Sequence, residues 1–206
     1  MYFWIVFIKK KCEQGFLNRS FSNNKNLKRV VIIGASGSGK TTLGKLLSST
    51  WKLPLCDLDD LHWLSGWKKR DPSEEFADVE NFLKGDKWLI VGNYSRYRAM
   101  IWPKADLIIW LDLPFYVCLW RGLVRSIRSI WYDLPLCNGN YDSLTRLFSW
   151  DNKSILYWIS TTYNKKTTNY QNLLENNKSK KLPQHYRLSN SKQVGEFIDM
   201  SNKFDF

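Results

Sequence analysis

Residues 34–41 read Gly-Ala-Ser-Gly-Ser-Gly-Lys-Thr, a spacing that places glycines, a lysine and a hydroxyl as a phosphate loop requires. The glycines let successive backbone N–H groups turn towards an anion without a Cβ in the way. Lys40 supplies a cation to the outer phosphates, and Thr41 offers its hydroxyl to Mg²⁺. We therefore predict a nucleoside triphosphate site formed by Gly34, Ala35, Ser36, Gly37, Ser38, Gly39, Lys40, Thr41 and Thr42.

Two alternatives to a phosphate loop are weaker. A dinucleotide-binding turn needs glycine at positions where this chain has Ser36 and Thr42. A chance Gly/Ser-rich turn would not explain the apolar, β-branched run 30–33 before the loop, or the helical spacing of apolar residues after it. Strand, loop and helix in that order favour the phosphate loop.

Carboxylates follow the second predicted strand. Asp57, Asp59 and Asp60 lie where a parallel sheet places its ligands, beyond the carboxyl end of a strand. Asp59 is the candidate to orient an acceptor hydroxyl or to hold a metal-bound water, and a solvated loop or helix cap is the open alternative. We assign Asp57, Asp59 and Arg96 to substrate binding, and His62 and Trp63 to the border of that pocket or to packing.

Arginines recur after the fourth predicted strand. Arg121, Arg125 and Arg128 are spaced by four and three, so they share one helix face. Such a row can present guanidinium groups to phosphate oxygens when a lid closes. The alternative is a solvent-facing charged stripe. We assign Arg121 and Arg125 to catalysis with Lys40 and Asp59, and treat Arg96, Arg98 and Arg146 as weaker candidates.

Strand-length apolar runs alternate with helical patterns from Arg29 onward, which predicts an α/β fold with a doubly wound, five-stranded parallel sheet. The predicted strands are 30–33, 53–57, 88–91, 107–111 and 185–188. A helix capped by Ser73 should turn Phe76, Val79 and Leu83 inward. A helix that begins at Pro114 should carry an apolar stripe, which consists of Tyr116, Trp120, Leu123, Ile127 and Ile130. One further helix should run from 143 to 162.

The 206 residues are enough for a single core domain, which we place at 29–206, with 1–28 as an extension. The apolar run 2–8 is too short to span a membrane, so we expect no membrane partner. The cysteines show no metal-ligand spacing and indicate reduced thiols in a cytoplasmic protein; they are Cys12, Cys56, Cys118 and Cys137.

The formal net charge is +12, so the surface attracts anions such as nucleotides, phosphorylated metabolites and nucleic acid. Part of this excess lies in the lysine tracts 9–11 and 178–181, which indicate solvated ends. DNA therefore remains an open partner, although no DNA-binding motif supports it.

Four stretches together resemble the adenylate kinase-like P-loop kinases, most closely the group named DNA topology modulation proteins. They are GASGSGKTTL, LPLCDLDDLHW with the following GW, WLIVGNYSR, and ADLIIWLDLPFYVCLWR, within residues 29–188. The resemblance implies a nucleotide- or shikimate-kinase type of fold, Mg-ATP as donor, and a helical lid at about 121–145. It places Asp59 in the acceptor region, Arg121 and Arg125 in the lid, and adenine near residues 189–191.

Val91 departs from that pattern. Relatives usually carry an acidic residue there, directly before the GNYS glycine, where it helps to hold the water shell of Mg²⁺. The candidates to replace it are Asp57, Asp59 and Asp112. We therefore expect an ATP- and Mg²⁺-dependent kinase for a small molecule whose identity the sequence leaves open. The alternative is a nucleotide-binding regulator with weak or no catalysis, associated with DNA topology.

Overall fold

The computed structural model describes residues 27–92, 94–176 and 183–202. Outside them lie Asn93, residues 1–26 of the predicted extension 1–28, and the lysine tract 178–181. Five parallel strands form one sheet in the order β2-β5-β1-β6-β7, and β3 pairs with β4 in an antiparallel hairpin. The strands are β1 (Arg29–Gly34), β2 (Leu55–Asp57), β3 (Trp63–Leu64), β4 (Lys68–Lys69), β5 (Trp88–Val91), β6 (Leu107–Leu111) and β7 (Gln184–Leu188).

Helices cover both faces of the five-stranded sheet, which confirms the doubly wound α/β prediction. They are α1 (Lys40–Trp51), α2 (Leu58–His62), α3 (Pro72–Phe82), α4 (Ser95–Ile101), α5 (Phe115–Trp131), α6 (Leu144–Leu147), α7 (Ile155–Gln171) and α8 (Ser191–Ser201). Short 3₁₀ turns occupy Ser65–Trp67, Trp102–Lys104 and Cys137–Gly139, and a π turn extends α7 over Asn172–Asn176.

The core consists of two apolar layers, one on each face of the sheet. β5 and β6 are buried along their whole length, because a strand between neighbours that is covered on both faces has no side left for water. On one face, Leu47 and Phe197 from α1 and α8 pack against the strands. On the other face, Val79, Tyr97 and Tyr170 from α3, α4 and α7 do so.

The prediction of one helix over 143–162 is wrong. The chain forms α6, breaks, and starts α7 at Ile155. Polar side chains in the break bind the local backbone: Asp151 accepts from the N–H of Lys153, and the Ser154 hydroxyl donates to the carbonyl of Leu147. Such local bonds compete with the helical ladder, so the helix stops and restarts.

The apolar stripe of α5 does not face the core. Tyr116 is 71% exposed and Trp120 is 65% exposed, while the small residues of the opposite side are buried. A Cβ built on Gly122 would lie 2.8 Å from Cδ1 of Ile159, so the glycine lets α5 approach α7 closely. Close packing through small residues thus decided which face of α5 is buried, against the hydrophobic pattern.

The start of α3 also differs from the prediction. Asp71, rather than Ser73, caps the helix, since its side chain accepts from the N–H of Ser73 and Pro72 takes the first helical position. Phe76 is exposed, whereas Glu75 is buried together with Val79. The helix therefore turns a carboxylate inward.

Candidate functional site

The phosphate loop curls between β1 and α1. Gly37 and Gly39 adopt φ angles of 78° and 96°, the left-handed region that glycine enters at no steric cost. The carbonyl of Ala35 accepts from the N–H of Ser38 at 3.2 Å and from Nζ of Lys40 at 3.0 Å. Residues 36–42 line a cleft of about 1870 Å³, while Gly34 and Ala35 lie behind it.

The ammonium group of Lys40 lies inside this loop. Its side chain is buried, and that burial lowers the pKa of the ammonium group. Asp59 and Asp57 oppose this lowering, while the charge of Arg125 adds to it. The buried hydroxyl Oγ of Ser38 has no hydrogen-bond partner among the described residues. The loop thus holds a poorly solvated cation and a free donor, which suits an incoming anion.

Thr41 is joined to the acidic segment. Its Oγ1 donates to Oδ2 of Asp57 at 2.7 Å, and Oδ1 of Asp57 accepts from the N–H of Asp59 at 3.0 Å. Burial, and then the charge of Asp59, raise the pKa of Asp57. A hydroxyl and a buried carboxylate supply the hard oxygen ligands that Mg²⁺ prefers, so these residues fit the cation.

Val91 is the direct neighbour of Asp57 across the strand pair β2–β5. Its side chain is buried in the core layer below α1, so close to the helix that a Cβ on Gly44 would lie 2.4 Å from Cγ2. A carboxylate therefore lies one strand away from the apolar side chain of Val91. Asp112 was another candidate to help hold the metal. It instead pairs with Arg187, whose Nη2 lies 2.6 Å from Oδ2 of Asp112.

The predicted acceptor side contains a buried carboxylate with three donors. Glu75 is 1% exposed and contacts His62 Nδ1 at 2.6 Å. The hydroxyl of Tyr97 and the guanidinium of Arg96 also donate to Glu75. Arg96 lies over the rings of Tyr94 and Tyr97 and lines the cleft. Glu75 therefore fixes the arginine at the cleft wall, a role that no sequence pattern indicated.

Asp59 lies in the cleft wall with a fixed orientation. The hydroxyl of Tyr94 donates to its Oδ1 at 2.9 Å. Burial, together with the charge of Asp59, raises the pKa of Tyr94, so the phenol stays protonated and keeps donating. His62 and Trp63 meet edge to face beside it, with ring centroids 4.7 Å apart.

The structure brings most of the candidate arginines to the cleft. Arg121 reaches the loop itself, because Nη1 donates to the Ser38 carbonyl at 3.3 Å and Nη2 donates to Oγ of Ser191 at 3.2 Å. That contact joins the loop to the expected adenine position. Arg98 does not take part and lies over the ring of Trp102. The arginines that line the cleft are Arg96, Arg121, Arg125, Arg128 and Arg146.

Lys166 is a cleft residue that the sequence analysis missed. It projects from α7, where Tyr163 and Tyr170 on the same face hold the helix against the sheet. Its Nζ lies 5.0 Å from the ring centroid of Trp158. Burial, and then the charge of Lys40, lower the pKa of Lys166 to about 8. In the sequence, Lys166 lies between two tyrosines at helical spacing, within a polar stretch rich in Asn and Lys. That spacing was the available signal that Lys166 is on the inward face of α7.

The same architecture occurs in a solved kinase. Shikimate kinase from Bacteroides thetaiotaomicron superposes with a TM-score of 0.50 at 15% identity, over 86% of this chain and 98% of that protein. Gluconokinase from Sinorhizobium meliloti 1021 gives 0.45 at 14% identity, over 85% and 90%. A sugar kinase from Janibacter sp. HTCC2649 gives 0.46 at 14% identity, over 88% and 99%.

The chain has the P-loop fold of that shikimate kinase. At this level of identity the likeness concerns the fold and leaves the substrate open. Among curated proteins, the chain is 27% identical over 125 residues to the uncharacterized protein YqaC of Bacillus subtilis strain 168, covering 60% of this chain and 70% of YqaC. No protein-family model matches the chain. Within the described residues, no helix combines the length and apolar character needed to cross a membrane.

Proposed function

We propose that this P-loop kinase fold acts as an ATP- and Mg²⁺-dependent kinase that transfers a γ-phosphoryl group to a small-molecule acceptor. The observation that carries the proposal is the convergence of three groups on one cleft of about 1870 Å³. They are the phosphate loop, the carboxylates Asp57 and Asp59, and a row of lid arginines. Phosphoryl transfer depends on positioning and charge neutralisation, and these groups supply both.

On the donor side, the loop amides and Lys40 hold the β- and γ-phosphates. Thr41 and Asp57 hold the magnesium ion and its water shell, which makes Asp57 the replacement for the acid missing at Val91. Bound Mg²⁺ offsets the charge of the phosphate oxygens. Arg121, held between Ser38 and Ser191, borders the nucleotide where adenine is expected.

On the acceptor side, Asp59 orients the hydroxyl that attacks the phosphorus. Its carboxylate is fixed by Tyr94 and remains close enough to Lys40 to affect its pKa. Arg96, fixed by Glu75, binds a polar or anionic group of the acceptor. Arg125 and Lys166 offset the charge of the transferring group.

We further propose that residues 29–206 form the catalytic domain of a cytoplasmic protein, with 121–145 as its lid. The free thiols Cys56, Cys118 and Cys137 are consistent with a reducing compartment.

A thermal-shift titration tests the nucleotide part, because a ligand that binds only the folded state raises the melting temperature. ATP with Mg²⁺ should stabilise the protein, and Lys40→Met should remove the shift. Lys84→Met is the matched control, since Lys84 is exposed and outside the cleft. Candidate acceptors are then added with radiolabelled ATP. If Lys40→Met retains full turnover, the proposed chemistry is wrong.

The second candidate function is a nucleotide-binding regulator with weak or no catalysis, and the net charge of +12 favours it. It predicts nucleotide binding without phosphoryl transfer, and binding to duplex DNA that weakens steeply with salt. Negligible DNA affinity at moderate salt would remove the DNA part of this alternative.

A further inference from the structure

The loop after α5 is hydrogen-bonded to the acceptor side of the cleft. We call residues 57–67 the acceptor segment and residues 121–145 the arginine segment. The backbone N–H of Asn138 donates to Oδ1 of Asp60 at 3.0 Å, and its side-chain Nδ2 donates to the carbonyl of Trp63 at 2.8 Å. Nε1 of Trp67 donates to the carbonyl of Tyr141 at 2.8 Å. The two segments thus meet along a line of polar contacts.

Asn140 lies at the centre of these contacts and is only 3% exposed. Its Oδ1 accepts from the N–H of Trp67 at 2.8 Å. Its Nδ2 donates to the carbonyls of Leu64 at 3.0 Å and Cys137 at 2.9 Å. One buried carboxamide therefore binds backbone groups on both segments, and its removal would take the partner from the N–H of Trp67 and from the carbonyl of Leu64.

The arginine segment transmits this attachment to α5. The hydroxyl of Ser129 donates to the carbonyl of Leu134 at 2.7 Å, and the N–H of Asp142 donates to that hydroxyl at 3.2 Å. Both ends of the loop are therefore tied to α5, which carries the cleft arginines. Arg146, directly after the arginine segment, stacks on Trp67 of the acceptor segment, with its guanidinium carbon 4.2 Å from the ring centroid.

We propose that Asn140 is a positioning residue that joins the acceptor segment and the arginine segment into one moving body. The role in phosphoryl transfer rests on the proposed kinase function; the mechanical joint does not. An acceptor that docks against residues 57–67 then brings Arg125 and Arg128 over the phosphates in the same movement. Ordering the acceptor and neutralising the phosphoryl charge become a single event.

Hydrogen exchange of the full-length protein without nucleotide tests the joint. The amide of Asn138 reports contact between the segments, because its partner is the Asp60 carboxylate and neither group belongs to Asn140. The amide of Arg70 reports the chain next to the acceptor segment, and the amide of Leu134 reports the arginine segment, since they donate to the carbonyls of His62 and Ser129. In Asn140→Ala, the Asn138 amide should exchange about tenfold faster or more.

The Arg70 and Leu134 amides should keep their wild-type exchange rates in Asn140→Ala, because the hydrogen bonds that they make do not cross between the two segments. Asn140→Asp should give an intermediate rate at Asn138, since it keeps the acceptor for Trp67 and loses the donors. Asn81→Ala, on the exposed side of α3, should change nothing. An unchanged Asn138 rate in Asn140→Ala overturns the proposal, and so does a uniform rise that includes the core strands.

A non-hydrolysable ATP analogue with Mg²⁺ tests the coupling. In the wild type it should protect the loop 34–41 and also the amides of Trp67 and Asn138. In Asn140→Ala it should protect the loop alone. Protection of both regions in the variant overturns the coupling. If the wild-type loop gains no protection, the kinase proposal fails instead, and the nucleotide-free comparison still decides the joint.

Discussion

The hydroxyl of Thr41 donates a 2.7 Å hydrogen bond to Oδ2 of Asp57, a residue that pairs with Val91 in the neighbouring strand. The bond places a carboxylate beside the predicted magnesium ligand. Burial raises the pKa of that carboxyl, and a bound cation would favour its ionised form.

Asp57→Asn should therefore remove most of the Mg²⁺ dependence of nucleotide binding. We expect the gain in affinity on adding Mg²⁺ to fall about tenfold or more, as for other residues that hold a metal and its waters. Binding without Mg²⁺ should persist, because the loop amides and Lys40 remain. Titration calorimetry with and without Mg²⁺ measures both, with Asp86→Asn as the exposed control. An unchanged Mg²⁺ effect would exclude Asp57.

Gly37→Ala should distort the phosphate loop. A Cβ at Gly37 would lie 2.1 Å from the backbone carbonyl of Cys118, which cannot move without shifting α5. Gly139→Ala is the matched control, since Gly139 has a similar φ of 72° and nothing within 4 Å. The control should cost only the left-handed conformation, about 1–2 kcal/mol. Thermal denaturation should show a larger loss of stability for Gly37→Ala than for Gly139→Ala. ATP with Mg²⁺ should no longer raise the melting temperature of Gly37→Ala.

Because of Lys166, nucleotide affinity should fall as the pH rises above about 8. Its pKa of about 8 lies below the usual value near 10.5, so the free protein loses this charge as the pH rises through about 8. A bound phosphate favours the ammonium form, so binding at pH 9 should take up protons and weaken as pH rises. Calorimetry in buffers of different ionisation enthalpy measures the uptake.

Lys166→Arg keeps the charge and should move the decline in affinity to higher pH, while Lys165→Arg, on the exposed side of α7, should not. Lys40 and Asp59 also face this group, and the lowered pKa of Lys40 contributes its own share in both variants. Equal pH profiles for Lys166→Arg and the wild type would argue against contact with the phosphates.

Glu75→Ala should destabilise the acceptor side. The change leaves His62 and Arg96, whose side chain is 38% exposed, without their buried anion, and leaving such polar partners unpaired costs about 1–3 kcal/mol. Glu74→Ala removes only an exposed pair with Arg70 and should cost less than about 1 kcal/mol. Urea denaturation compares the two. Similar losses for both variants would show that Glu75 is not the anchor of this cluster.

Much of this protein was accessible from local patterns. The apolar runs of β1, β5 and β6 and the glycine-lysine spacing of 34–41 are encoded by neighbouring residues, so the sheet and the loop were predictable. The row of cleft arginines on α5 also follows from the helical period alone.

Long-range packing decided the rest. The buried face of α5 follows from the contact of Gly122 with Ile159, which outweighs the apolar stripe. The partnership of Asp57 with Thr41, the place of Lys166 in the cleft and the bonds of Asn140 to Leu64 and Trp67 likewise join distant stretches of chain. Spacing determines which side chains share a face of an element, whereas only the packed tertiary structure determines what that face meets.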